Sequence, residues 1–204
     1  ECRLIGDNSE PLFMQFVDKE NKSASFGLYQ RIRLANNRND DEAVKNFLFT
    51  SMFNTLAPRR FARLKNADEE TFIAASASLS PLVRGFAQVA WDVVPYANKA
   101  QQAMEQLLNV RAAMANGGFS KQEFEAEKGK MYQGMKEALE ANGLGTPDNV
   151  FGLMKQNFVY GTPITDFRQQ IQRNIEVLVE QEVEDFNTWI AKLFTPNNLA
   201  FITY

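Results

Sequence analysis

Carboxylates are the side chains in this sequence whose type and spacing could do chemistry. They fall into three clusters: Asp68-Glu69-Glu70, then Glu123, Glu125 and Glu127, and finally Glu180, Glu182, Glu184 and Asp185. Glu123 and Glu127 stand four residues apart, so on a helix they share one face and could bind a cation or act as acid and base. Such groups more often form a solvated face, and we favour that interpretation.

The lack of histidine limits the available chemistry further. The 204 residues include no His and a single cysteine, Cys2. His-containing catalytic triads, His-ligated zinc and His acid-base catalysis therefore cannot arise within the chain. One thiol excludes an internal disulfide and a thiolate metal site. The residues predict no catalytic site and no metal site, and they leave any substrate-binding residues unknown.

Glycine and tyrosine positions offer weaker alternatives. Gly143-Leu144-Gly145 lacks the following Lys and the preceding strand of a phosphate-binding loop, so we interpret it as a helix terminator. Tyr96, Tyr132 and Tyr160 could each donate a hydrogen bond in a site. We expect instead that they lie in the core or at its rim.

Charge and hydropathy argue against two classes of partner. The net charge is -3 and the pI is about 5.2, whereas a phosphate-tracking surface needs clustered Lys and Arg. Basic clusters do occur, at Arg31 and Arg33 and at Arg59, Arg60, Arg63 and Lys65. Comparable acidic groups accompany them, so we interpret them as solvated faces. No apolar run approaches the ~20 residues that span a bilayer. We expect neither a nucleic-acid partner nor a membrane.

The elements that would position these groups are organised around one joint, Gly117 to Phe124. Before it, apolar residues recur at helical spacing over 98–115, which predicts one apolar stripe. Two glycines can then adopt the left-handed conformation that ends a helix. Ser120 and Glu123 form a capping-box pattern that begins the next helix. The sequence predicts a tight turn between two helices.

The remaining patterns predict strands and helices in a fixed order. Pro58 is expected to break or kink the first helix, and Pro81 to lie in a turn between two strands. Within the second helix after the joint, Gly129 and Gly134 either weaken it by roughly 1 kcal/mol each or mark a close helix contact. The predicted strands cover 12–17, 23–34, 72–79, 85–94 and 199–203. The predicted helices begin near residues 42, 98, 120, 146, 166 and 181.

Two points of this assignment stay open in the sequence. The small residues of 74–78 could be helical by propensity, and we favour a strand because of the flanking Phe72-Ile73. The short polar link 18–22 permits a hairpin between the first two strands without fixing their pairing. The fold class that follows is α+β, one antiparallel sheet with helices packed mainly on one face. No linker or repeat divides the chain, so we predict one domain, 1–204.

Several segments, taken in order, are similar to a known family. They are Val17-Asp18-Lys19-Glu20, Ser25-Phe26-Gly27-Leu28-Tyr29, Met52-Phe53-Asn54-Thr55-Leu56, Thr71-Phe72-Ile73-Ala74-Ala75, Asn116 to Phe124 with Lys128, Glu182-Val183-Glu184-Asp185-Phe186, and Pro196 to Phe201. Their order and spacing resemble one structural unit of the insulinase/pitrilysin family of zinc metallopeptidases, the inverzincins. Proteins of that family are built from pairs of homologous α+β units of about this length.

The resemblance implies a non-catalytic unit. Catalytic units of the family carry His-x-x-Glu-His and a distant Glu, which this chain cannot supply. Some non-catalytic units contribute an Arg and a Tyr, but the corresponding stretch Leu56 to Leu64 has no Gly-x-x-Tyr after it, so neither role is assigned here. The implied role is half of a chamber that helps to enclose and position peptide substrates. Zinc is expected in a partner catalytic domain of the same polypeptide or complex, with no cofactor in this chain.

Two other functions are compatible with the residues. The chain could be a catalytically silent subunit that serves assembly or peptide binding, or a carboxylate-based hydrolase that uses Glu123 and Glu127. It begins at Glu1 without an initiator Met, which suggests a piece excised from a longer chain, although a processed mature terminus would begin in the same way. Localisation is not determined by the residues, and the bacterial periplasm is our first expectation.

Overall fold

The computed structural model describes residues 6–20, 23–33, 41–65, 70–83, 85–141, 147–161 and 164–204, apart from the side chain of Tyr160. Over these residues the elements follow the predicted order of strands, helix, strands, five helices and strand. The strands are β1 (Leu12–Gln15), β2 (Phe26–Arg33), β3 (Phe72–Val83), β4 (Phe86–Pro95) and β5 (Leu199–Thr203). The helices are α1 (Asp41–Lys65), α2 (Ala100–Gly117), α3 (Lys121–Glu140), α4 (Pro147–Tyr160), α5 (Phe167–Glu180) and α6 (Val183–Leu193).

The described strands form one five-stranded sheet in the order β1-β5-β2-β4-β3. Its pairs are antiparallel except β1 with β5, which is parallel. The hairpin that the short link permitted between β1 and β2 does not form, because β5 lies between them. Phe13 of β1 stacks on Phe201 of β5 with ring centroids 5.2 Å apart, so the terminal strand supplies the apolar partner. The segment 74–78 is a strand, and the α+β class is confirmed.

The core lies on one face of this sheet. Alternate strand residues such as Leu28, Val89 and Trp91 are buried there, as the period of two in a half-buried strand requires. α1 packs on β3, and α2 packs on β3 and β4. The other described helices that share the core are α3, α5 and α6, which pack on α1 and α2 and on each other. Phe186 of α6 is fully buried and touches the rings of Phe49, Phe119, Phe124 and Trp189.

The structure corrects the predicted helix break at Pro58 and the predicted turn at Pro81. α1 continues through Pro58 to Lys65 without a break, because Ala57 and Phe61 on either side are buried in the core and hold the helix in place. Pro81 does not lie in a turn: β3 runs on to Val83, and the register shifts there. β3 is at the edge of the sheet and pairs with β4 on one side only, which is where a sheet tolerates a residue without an N–H.

The helices of the described ranges do not meet the requirements of a membrane span. None of them combines the length and the apolar character that crossing a bilayer requires.

Candidate functional site

A cleft of about 940 Å³ lies at the joint predicted from the sequence. We call it the arginine cleft. The end of α1 contributes three arginines and a leucine, α2 contributes an apolar wall, and the joint and the first turns of α3 close it. The lining residues are Arg59, Arg60, Arg63, Leu64, Val110, Ala113, Met114, Gly117, Gly118, Phe119, Ser120, Gln122, Glu123 and Ala126. The cleft therefore combines positive charge with an apolar surface.

The joint itself is held by an asparagine from another helix. Gly118 ends α2 with φ +60° and donates its N–H to the carbonyl oxygen of Met114. The predicted tight turn is therefore confirmed, but Gly117 belongs to the helix and only Gly118 of the two has a positive φ. The side chain of Asn187 in α6 accepts from the Phe119 N–H at 2.8 Å and donates to the Phe119 carbonyl at 2.9 Å. A Cβ on Gly118 would lie 2.2 Å from the Asn187 Oδ1. The turn thus depends on a residue without a side chain.

Glu123 is the centre of the polar side of the cleft. The predicted capping box is confirmed: the Ser120 hydroxyl accepts from the Glu123 N–H, and Glu123 Oε2 accepts from the Ser120 N–H at 3.0 Å. The same Oε2 also accepts from Arg60 Nη2 at 3.0 Å, while Oε1 lies 2.9 Å from Arg63 Nη2. Both carboxylate oxygens are therefore engaged by guanidinium groups.

Glu127, one turn further along α3, is buried rather than solvated. Its side chain is 8% exposed, and its Oε2 accepts from Arg59 Nη2 at 2.8 Å. The expectation that Glu123 and Glu127 form a solvated face is therefore wrong, because both face the end of α1. The carboxylates neutralise arginines there instead of forming an open cation site. Among the described residues, no group of three or more His, Cys, Asp or Glu could hold a metal ion.

Two opposing effects act on the pKa of Glu123. Burial alone would raise this pKa, because it penalises the charged form. The hydrogen bonds from Ser120 and the positive charges of Arg60 and Arg63 favour the charged form. They outweigh the burial, so the pKa of Glu123 lies below its ordinary value. Glu123 is therefore an ionised structural partner of the arginines at neutral pH, unlike a general acid.

Most of the other predicted positions do not converge on the cleft. Asp185 accepts from the Glu182 N–H and so belongs to the cap of α6. Tyr96 donates its hydroxyl to Glu70 at 2.9 Å, and Tyr132 is half-buried against the core. The predictions for Asp68, Glu69, the Gly143-Leu144-Gly145 stretch and the side chain of Tyr160 fall outside the described residues.

Sequence reasoning missed how the arginines and glutamates meet. Arg59 and Arg63 stand four residues apart on α1, with Arg60 between them. Glu123 and Glu127 likewise stand four residues apart on α3. These matching spacings are the signal that could have suggested an ion-paired contact between two helices. Asn187 gave no such signal, since its role depends only on its position in space.

A second notable surface is apolar and exposed. On α4 the side chains of Phe151, Met154 and Phe158 are 68%, 55% and 85% exposed. Their spacing of three and four residues places them on one side of the helix. β1 lies at the edge of the sheet, and its Leu12 and Phe13 are 59% and 77% exposed. Exposed apolar surface of this extent is typical of a protein interface.

No protein-family model matches the sequence, and no curated protein does. Solved structures do share its fold. The periplasmic protease PqqL from Escherichia coli superposes with a TM-score of 0.83 at 17% identity, over 100% of this chain and 23% of PqqL. The first half of PqqL alone gives 0.80 at 16% identity, over 97% of this chain and 42% of that half.

Two further structures agree with this likeness. A predicted insulinase family protease from Yersinia pestis gives a TM-score of 0.75 at 12% identity, over 95% of this chain and 42% of the other. An inactive peptidase domain from Pseudomonas fluorescens gives 0.67 at 12% identity, over 96% and 43%. The chain therefore has the fold of one structural unit of insulinase-type peptidases, as the resemblance implied, and it spans less than half of each of these chains.

Proposed function

We propose that this chain is the non-catalytic half of a zinc metallopeptidase chamber, which helps to enclose and position peptide substrates for a zinc-bearing partner unit. One observation carries the proposal: nearly the whole chain has the fold of a unit found in protease halves and in an inactive peptidase domain, while its sequence has no histidine. Such a unit supplies the architecture of a peptidase without the residues of its active site.

Zinc belongs to the partner in this proposal. The chain has no His, and its described residues include no cluster suited to a metal ion, so the zinc of such peptidases does not fit here. The metal would activate water for peptide hydrolysis in the partner unit. This chain would act by shape: closing a chamber excludes bulk water and large folded substrates.

The exposed apolar surface supports a partner unit. Phe151 and Phe158 on α4 and Phe13 on β1 leave most of their ring surfaces in water. Covering such rings in an interface is favourable by roughly 25 cal/mol per Å² of apolar surface. The similar structures also contain parts that this chain does not match, and such a part could correspond to the partner unit.

We include the cellular compartment in the proposal. PqqL is a periplasmic protease. This supports our expectation of the bacterial periplasm for this chain as well.

The test is a peptidase assay on an unstructured peptide with zinc present. The chain is assayed alone and then mixed with, or fused to, the protein encoded upstream of it. We expect activity in the combined sample only, and we expect a chelator to abolish it. Activity of the pure chain that resists chelation would refute the proposal and return attention to the carboxylates.

The same assay separates the alternative of a silent assembly or peptide-binding subunit. If the combined sample stays inactive and the neighbouring protein carries no His-x-x-Glu-His, the chain acts without a catalytic partner. The control is the combined sample with the Glu of the partner's His-x-x-Glu-His changed to Gln, which should remove activity without affecting association.

A further inference from the structure

We propose that the arginine cleft binds a peptide carboxylate together with an adjacent apolar side chain. The inference rests on the proposed function, because it names the chemistry of the substrate segment that the chain would hold. The carboxylate could be the C-terminus of a peptide or the side chain of Asp or Glu. The cleft recognises the group that both share.

Among the described residues, the charge balance of the cleft leaves one cation in excess. Arg59, Arg60 and Arg63 face two carboxylates, those of Glu123 and Glu127. Arg59 and Glu127 form one pair, whereas Arg60 and Arg63 share Glu123. A single additional negative charge would balance the group. A peptide carboxylate carries that charge.

Arg63 is the arginine best placed to bind it. Its side chain is 61% exposed, and its described ion pair with Glu123 uses only Nη2. A guanidinium has five N–H donors in a planar fork, which can grip both oxygens of a second carboxylate. Arg60 is more enclosed, since its guanidinium carbon lies 4.9 Å from the centre of the Phe119 ring. Arg63 therefore contacts the ligand, and Arg60 contributes charge behind it.

The apolar part of the cleft lining favours an organic ligand over a small inorganic anion. Leu64 and the α2 residues Val110, Ala113 and Met114 are apolar. A small hydrated anion gains nothing from these side chains, whereas an apolar side chain next to the carboxylate removes surface from water on both partners. At about 940 Å³ the cleft has room for more than one residue.

The cleft is also held in shape before a ligand arrives. Asn187 fixes the joint through two hydrogen bonds to Phe119, and the capping box fixes the start of α3. A rigid site loses less conformational entropy on binding than a mobile one. These contacts therefore favour binding of a flexible peptide by a preformed surface.

The experiment uses fluorescence anisotropy with three labelled, unstructured peptides of about eight residues. The first ends in Phe with a free carboxylate, the second is the same peptide with a C-terminal amide, and the third is the amide with a Glu beside the Phe. We expect the first to bind at least about tenfold more tightly than the second, and less tightly as NaCl is raised. Binding of the third shows whether a side-chain carboxylate is accepted as well.

Matched variants connect this preference to the cleft. Arg63→Gln should remove most of the difference between the free acid and the amide, and Arg63→Lys should restore part of it. The control is Arg173→Gln on α5, since Arg173 is also half-exposed and ion-paired, to Asp41 and Glu176. That variant should bind like the wild type. Urea unfolding of each variant shows that the fold is intact.

The inference is overturned if the amide binds as tightly as the free acid, if no peptide binds, or if Arg63→Gln and Arg173→Gln behave alike. Its failure can be distinguished from failure of the chamber role. If the carboxylate preference is absent while the combined sample still cleaves peptides, the cleft inference alone is wrong. If the preference is present and the combined sample is inactive, the chamber role is wrong.

Discussion

Gly118 and Asn187 show how strongly one residue can constrain the joint. Gly118 has φ +60° and ψ -142°, a region essentially restricted to glycine, and the Asn187 amide occupies the space where a Cβ would lie. We predict that Gly118→Ala lowers the free energy of unfolding by about 3 kcal/mol, through backbone strain and loss of the Asn187 hydrogen bonds. Urea denaturation measures this difference.

The neighbouring glycine provides the control for this prediction. Gly117 is the last residue of α2, and a Cβ there would meet no atom within 4 Å. Gly117→Ala should change the unfolding free energy by no more than about 1 kcal/mol, in the stabilising direction, because Ala is the better helix former. Equal losses in the two variants would contradict the role assigned to Gly118.

Glu123 should make stability depend on acidity. Its pKa in the folded chain lies below the ordinary value of 4.5 because Ser120, Arg60 and Arg63 favour the ionised form more than burial disfavours it. A carboxylate whose pKa is lowered by folding contributes its full stabilisation at pH values above its unfolded-state pKa. This stabilisation is lost as the pH falls through the folded-state pKa. We predict that wild-type stability falls more steeply below about pH 4.5 than that of Glu123→Gln.

The measurement is the free energy of unfolding in urea at several pH values from neutral to acidic, for both proteins. Parallel curves for wild type and variant would show that Glu123 does not contribute to the acid sensitivity. A steeper wild-type curve would support the ion pairs of the arginine cleft.

At the scale of a helix, α3 carries two glycines whose role the sequence left open. Around Gly129 and Gly134 a Cβ would find no atom within 4 Å, so neither glycine marks a close helix contact. We predict that Gly129→Ala and Gly134→Ala each raise the free energy of unfolding by about 0.5–1 kcal/mol, since Ala loses less backbone entropy in a helix. Thermal unfolding followed by circular dichroism at 222 nm would give the sign of each change.

Gly118→Ala, measured by the same thermal unfolding, should change stability in the opposite direction and is the internal control. If Gly129→Ala or Gly134→Ala destabilised the chain as Gly118→Ala should, α3 would pack more closely against a neighbour than its described contacts indicate.

At the scale of the whole molecule, α4 tests whether the chain works beside a partner. The Phe158 ring is 85% exposed, so it contributes little to the stability of the chain on its own. We predict that Phe158→Asp leaves urea unfolding of the isolated chain within about 0.5 kcal/mol of wild type. The same change should weaken association with the zinc-bearing unit at least about tenfold, because burying a charge in an apolar interface is costly.

Sedimentation of the mixed units and the peptidase activity of the combined sample measure this effect. Gln156→Asp is the matched control, since Gln156 is an exposed polar residue of the same helix. Unchanged association in Phe158→Asp would show that the partner contacts another surface of the chain.

Some features of this protein were determined by sequence alone, because they depend on residues close together in the chain. The capping box of Ser120 and Glu123 involves residues three positions apart, so its pattern was readable and the structure confirms it. The order of strands and helices followed from local hydrophobic periodicity in the same way. The lack of His likewise limits the chemistry of the chain without any reference to its fold.

The tertiary structure decided whatever depends on residues far apart in sequence. Only the folded chain places β5 between β1 and β2, pairs Arg59 with Glu127 across 68 positions, and puts Asn187 over Gly118. α1 also continues through Pro58 because the buried residues around it outweigh a missing hydrogen bond. Local propensities contribute about 1 kcal/mol or less per ordinary residue and about 3 kcal/mol for a proline inside a helix, whereas several side chains buried together in a shared core contribute more than either, so the core determines these arrangements.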